Sequence, residues 1–184
     1  MANPLERLQS NRNFLSPIGF RFILNKYPKV DFFSNAANLP GINLGVAVQP
    51  SYLKMVDHPG DILVYENFQL NFIVDEDMEN YLAMFEWMTG LGYPESVGQY
   101  QELYNGEDRR PPTDQKNIYS QGTLQILNSN YQVNKQIIFK DLFPISLQPL
   151  SFEATDRDYN YFTAQATFKY TIFNIADKRG NIIV

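Results

Sequence analysis

The sequence predicts a mainly β fold carrying one α-helix, and three observations carry that reading. Aromatics make up 15% of the 184 residues, with 14 Phe and 12 Tyr, and flat rings pack well on pleated sheets. Apolar and polar residues alternate over several segments, which is the two-residue period of a half-buried strand. Only residues 75–90 repeat apolar side chains at three- and four-residue steps, the period of an amphipathic helix.

Taken in order, residues 1–15 read as an N-terminal arm, because Pro4 and the polar run SNRN oppose a long helix. IGFRFIL (18–24) alternates, with Phe20, Phe22 and Leu24 on one face. Residues 29–37 read as a second strand. Pro40-Gly41 marks a turn, since Pro presets φ and Gly accepts positive φ. Residues 43–62 read as a hairpin arm, with HPGD (58–61) taken as a turn. VYENFQLNFIV (64–74) is a strand with Phe68, Leu70, Phe72 and Val74 on one face and Asn67, Gln69, Asn71 and Ile73 on the other. The helix follows, capped by Asp75. Its apolar stripe is Met78, Tyr81, Leu82, Phe85 and Met88, and Gly90 and Gly92 stop it. Residues 93–117 lack periodicity and read as a long surface loop. SQGTLQILN (120–128) alternates, NSN (128–130) is a hairpin turn, and 131–139 returns. YFTAQATFKYTIF (161–173) gives the longest alternation, with Thr163, Gln165 and Thr167 on its polar face. Residues 176–184 form a C-terminal tail.

Hydrophobic residues are 44% and charged residues 19%, a globular balance for one domain over 1–184. The absence of Cys removes disulfides, thiolate metal sites and a Cys nucleophile. No leader peptide or membrane span is expected, because apolar runs are short. The net charge of −5 is uneven. The first 30 residues hold Arg7, Arg12, Arg21, Lys26 and Lys29 against Glu6, a net +4, so the remainder carries −9. An acidic chain does not grip phosphates. From Asp75 to Glu107 there are eight acids and no Lys or Arg. That run either faces a basic partner or is a solvated surface.

Little in the sequence points to catalysis. His58, the single His, sits beside Pro59 and Gly60 and lacks the companion imidazole or thiolate that most zinc sites use. Asp156 and Asp158 flank Arg157 and read as turn formers. Phosphate loops, nucleophile elbows and zinc-helix motifs are missing from the sequence. An acid/base pair of carboxylates is the least supported alternative, and a monomeric β-sandwich binding module is another.

Several ordered segments resemble the tail tube proteins of T-even-like contractile-tailed bacteriophages. They are IGFRFIL, then FFSNAANLPGINLG with its A-x-LP-GI pattern, then an arm ending at HPGD. VYENFQLNFIVDEDMENYLAMFEWM matches a strand-to-helix unit. KQIIFKDLFPISLQPLSFEATDRDYNYFTAQATFKYTIF matches the closing strands, with a DLFP-like segment and a D-x-D-Y turn. The likeness covers most of 14–175. The long 93–117 loop and the tail ADKRGNIIV depart from it.

The resemblance implies a tube-type β-sandwich or barrel subunit flanked by the helix. Its strands would join an inner barrel in a hexameric ring, and rings would stack into a conduit for genome ejection. The departures leave open a baseplate–tube junction protein or a tail terminator of the same fold. Ring and stacking contacts would fall on Arg7, Arg12, Val46, Val48, Tyr52, Leu53 and Met55. Asn67, Gln69, Asn71, Thr163, Gln165 and Thr167 would line the lumen. Glu76, Glu79 and Glu86 would face the sheath or a neighbouring subunit. Six copies of a −5 chain carry −30, which keeps DNA from sticking to the wall. The partners implied are the chain itself, sheath and baseplate proteins, with DNA passing unbound. No enzyme activity, cofactor, metal, small-molecule ligand or membrane is implied. The location implied is the virion tail, after assembly in the host cytoplasm.

Overall fold

The computed structural model describes residues 15, 19–27, 33–92, 95, 118–152 and 161–183. Within them lie β1 (Phe20–Leu24), β2 (Phe33–Ala37), β3 (Ile42–Pro50), β4 (Met55–Tyr65), β5 (Phe68–Ile73), α1 (Glu79–Gly92), β6 (Ser120–Leu127), β7 (Val133–Leu147), β8 (Thr163–Lys169) and β9 (Ile172–Asp177). Six strands follow one antiparallel path, β1-β6-β7-β8-β5-β2, and β9 adds to β7. β3 and β4 pair only with each other.

The fold turns on β7, a strand of 15 residues. Its first half pairs with β6 on one side and β9 on the other, while its last residues pair with β8. Between the halves Asp141 takes a φ of 54°, a region that L-residues seldom occupy. The strand bends there and passes from one layer to the other. β1, β6, β9 and the first half of β7 make one layer; β2, β5, β8 and the end of β7 make the second.

This bend corrects the reading of 161–173 as one strand. Lys140 pairs with Ile172 and Phe143 pairs with Lys169, so the ladder keeps its register across the gap. Tyr170 and Thr171 fall opposite the bend and leave the ladder, where the Thr171 N–H still donates to the Lys140 carbonyl at 3.0 Å. The 64–74 strand is likewise two. Glu66 and Asn67 separate β4 from β5, and β5 alone belongs to the main sheet.

The core fills the space between the layers. Phe22, Phe68, Phe72, Phe139 and Phe168 are each at most 1% exposed. The Phe68 ring centre lies 4.6 Å from Phe139, 5.3 Å from Phe22 and 5.9 Å from Phe168. Burying each such ring contributes about 1.5–3 kcal/mol. Gly122 lies where this packing leaves no room: a Cβ there would sit 2.8 Å from Leu142 Cδ2 and 3.1 Å from the Phe22 ring.

The helix corrects the sequence reading twice. It starts at Glu79, because residues 75–78 form a turn with the Met78 N–H donating to the Asp75 carbonyl at 3.0 Å. Asp75 still caps, since its Oδ1 accepts the Asn80 N–H at 3.4 Å. The buried face is Asn80, Ala83, Met84, Trp87 and Gly90, while Leu82 and Phe85 are 47% and 52% exposed. Trp87 decides the rotation. Its Nε1–H donates to the Ile118 carbonyl at 3.1 Å, Tyr27 meets the ring edge-on at 6.3 Å, and the Lys26 ammonium lies 5.3 Å above it. A ring that large, with a polar handle that must be satisfied, outweighs the lighter Leu82–Phe85 stripe. Burial lowers the Lys26 pKa, and burial with the nearby Glu86 charge raises Tyr27 to about 12.

The sequence tail also differs. β9 runs to Asp177, Gly180 turns the chain at φ 83°, and the Ile183 N–H donates back to the Ile175 carbonyl at 2.8 Å. Residues 1–14, most of 93–117 and 153–160, which hold the expected turn formers Asp156 and Asp158 beside Arg157, lie outside the described residues.

Candidate assembly surfaces

The β3–β4 hairpin packs against neither layer along most of its length. β4 spans 11 residues, roughly 36 Å at about 3.3 Å per residue. HPGD is not its turn. His58, Pro59, Gly60 and Asp61 lie inside β4, and the chain reverses at 51–54, where the Ser51 N–H donates to the Lys54 carbonyl at 3.1 Å. Pro59 is tolerated because a strand with one partner has a free N–H side. Gly60 is required because a Cβ would lie 2.5 Å from the Gly45 carbonyl oxygen, at the irregularity between Leu44 and Val46. His58 Nε2 sits 3.0 Å from Gln49 Oε1 across the two strands.

Ile42, Leu44, Val46 and Val48 alternate along β3 and so share one face. That face is open: the four are 50–64% exposed. At the tip Tyr52, Leu53 and Met55 are 101%, 89% and 69% exposed. An isolated two-stranded hairpin is marginal in water, and this one is pinned at its root. The Tyr65 ring meets Tyr170 and Phe173 edge-on at 6.1 and 5.7 Å, the Glu66 N–H donates to the Gly41 carbonyl, and the Tyr170 hydroxyl donates to the Glu66 carbonyl at 2.8 Å. Burial, with Tyr65 and Glu66 nearby, raises the Tyr170 pKa to about 12.

A second surface is the outer face of β5 and β8. Gln69 pairs with Thr167, Asn71 with Gln165 and Ile73 with Thr163, so five of the six residues read as lumen-facing share one patch. Asn67 precedes the strand, and its carbonyl accepts from Asn38 Nδ2 at 3.2 Å. Asn38 Oδ1 in turn accepts the Gln69 N–H at 2.6 Å. Gln148 Nε2 donates to Gln165 Oε1 at 2.6 Å, while Asn71 Oδ1 is covered without a partner among the described residues. The patch is uncharged except at the rim, where Lys169 ends β8.

The third surface is the outer side of α1. Glu79 and Glu86 are exposed and flank exposed Leu82 and Phe85, and Glu76 is exposed in the preceding turn. Beside that turn opens a groove of about 670 Å³ lined by Ile73, Val74, Asp75, Glu76, Met78, Leu150, Phe152, Tyr161 and Phe162. Arg7 and Arg12, read as contact residues, lie outside the described residues. Among the described residues no group of three or more His, Asp or Glu converges as a metal site would need.

Among the described residues three surfaces stay open: the apolar hairpin, the amide face of β5 and β8, and the acidic-apolar side of α1. The family model for phage tail tube proteins matches residues 8–176. The chain belongs to the phage tail tube protein family. It is therefore a structural tail protein rather than an enzyme. Among curated proteins, the tail tube terminator protein of Enterobacteria phage T4 is 29% identical over 149 residues, 79% of this chain and 77% of that protein. Among solved structures, the tube-terminating cap of the anti-feeding prophage superposes with a TM-score of 0.61 at 17% identity, covering 92% of this chain and 95% of that one. The sheath–tube complex of the PVC extracellular contractile injection system gives 0.54 at 14% identity, over 90% and 93%. These likenesses establish the tube-type fold.

The hairpin tip is among the expected contact residues, and Ile42 and Leu44, on the same alternation as Val46 and Val48, extend that exposed stripe beyond them. Leu82 and Phe85, members of the apolar stripe at helical spacing, are exposed, and Trp87 lies in the core instead. Phe162, on the side of the alternation opposite Thr163 and Gln165, is 40% exposed and meets Phe152 in a tilted ring contact at 4.7 Å at the groove.

Proposed function

We propose that this tail tube family member forms a hexameric ring that closes the end of the tail tube. The observation that carries ring formation is the β3–β4 hairpin, rooted firmly and exposing Ile42, Leu44, Val46, Val48, Tyr52, Leu53 and Met55, with none of the described residues covering them. Monomers seldom expose so continuous an apolar surface. The 29% identity to a tail tube terminator over most of both chains favours the tube end over its bulk. The bulk tube subunit, building stacked rings, is the second reading.

In this arrangement the amide face of β5 and β8 lines the lumen. Gln69, Asn71, Thr163, Gln165 and Thr167 offer DNA no cationic grip, so the genome passes unbound during ejection. The hairpin residues Val46, Val48, Tyr52, Leu53 and Met55 meet neighbouring subunits. Arg7 and Arg12 of the arm meet a neighbour's acidic surface near Glu76 and Glu79, and the outer side of α1, with Glu86, faces sheath or adjoining subunits. Baseplate proteins are partners only in the junction alternative. Assembly takes place in the host cytoplasm.

Negative-stain microscopy of the purified protein tests this, with copy number counted in the particle. Single six-fold rings and one ring per tail are expected. Long tubes of the pure protein would move the role to the bulk conduit. A monomer at every concentration would sink ring formation itself.

A further inference from the structure

Two apolar features without a partner among the described residues lie toward opposite ends of β5. The hairpin root is at the Phe68 end, and the 670 Å³ groove opens at the Val74 end. The groove walls include Ile73, Leu150, Phe152 and Phe162, and Asp75 and Glu76 stand on its rim. The hairpin tip carries two large side chains almost wholly in water, Tyr52 and Leu53, beside one cation, Lys54. The tip is thus apolar with a positive charge, and the groove is apolar with negative charges. A second groove, of about 380 Å³ beside Met88, Leu91 and Phe143, has no acid among its lining residues. Charge therefore selects the first.

We propose that Tyr52 and Leu53 of one copy seat in the Phe152–Phe162 groove of the next copy, with Lys54 against its Asp75 and Glu76. The proposal rests on ring assembly and names its contact. Donor and acceptor are different surfaces of the chain, so the contact is head-to-tail. Repeated contacts of that kind close into a ring or continue as a stack, whereas a self-complementary patch would stop at two copies. The occupant is a second copy of this chain, since one sequence supplies both complementary parts.

The chain has no Cys, so introduced thiols report without background. The test combines Leu53→Cys with Tyr161→Cys in one chain and oxidises it gently. A covalent ladder is expected, and an equal mixture of the two single variants gives a covalent dimer. The control pairs Leu53→Cys with Gly92→Cys, where a side chain meets nothing within 4 Å, and gives no ladder. Independently, Lys54→Glu and Glu76→Lys each weaken association about two- to five-fold, the range of an exposed ion pair, and the two together restore it. Rings that form without the 53–161 cross-link, or without charge rescue, overturn this contact while leaving ring assembly standing. Absence of any oligomer overturns both.

Discussion

Met84 and Phe85 are neighbours in sequence and opposites in the fold, which makes them a direct test of how α1 is rotated. Met84 is fully buried against the core, and Phe85 is 52% exposed. Met84→Ala leaves a cavity and loses about 2–5 kcal/mol. Phe85→Ala opens no cavity. Full burial of a Phe contributes about 1.5–3 kcal/mol, so a half-buried one loses about 1 kcal/mol. For a chain of this size each kcal/mol moves the melting temperature by about 2–4 °C. Met84→Ala at about 3 kcal/mol therefore melts about 6–12 °C lower, and Phe85→Ala about 2–4 °C lower. Far-UV circular dichroism should follow unfolding at concentrations where the protein is monomeric, because assembly adds its own stabilisation. The same Phe85→Ala protein should assemble less well. If Phe85→Ala unfolds as easily as Met84→Ala, or if the order reverses, the helix presents the other face and the reasoning fails.

Gly122→Ala forces a methyl to 2.8 Å from Leu142 Cδ2 and should cost about 1–3 kcal/mol by overpacking, read as a lower urea midpoint with an unchanged slope. Gly60→Ala strikes the Gly45 carbonyl in a hairpin outside the core; at concentrations where the protein is monomeric the melting temperature should hold, while ring formation on a sizing column is lost. Tyr27 and Tyr170 titrate near 12 when folded, against an ordinary 10. The folded state thus holds their protons more tightly, so stability is full below pH 10 and falls between pH 10 and 12. Urea midpoints across that window check the sign, and Tyr170→Phe should flatten part of the fall.

The alternations of β1, β5, β6 and β8 were legible because a strand with one wet side writes its period directly into the chain. Phe22, Leu24, Phe68, Leu70, Phe72, Ala164, Ala166 and Phe168 are buried in that pattern. The candidate site was legible in part. Gln69, Asn71, Gln165 and Thr167 were on the polar face, but only pairing between β5 and β8 made them one patch. HPGD misled because a turn signal states what the backbone tolerates, and here Pro59 and Gly60 serve an unpaired edge and a close strand approach.

By itself the sequence determined the class of fold, the strands with one wet face, the lack of thiol chemistry and the apolar residues Val46, Val48, Tyr52, Leu53 and Met55 of the hairpin. These follow from composition and local period, which need no knowledge of distant neighbours. Tertiary structure decided where β7 bends, which face of α1 is inside and whether the hairpin stripe has a cover. Each of those depends on which remote residues compete for the same space: Trp87 took the interior because the Ile118 carbonyl satisfied its N–H and Tyr27 and Lys26 covered its ring, and Phe85 was left half-exposed on the outer side of α1.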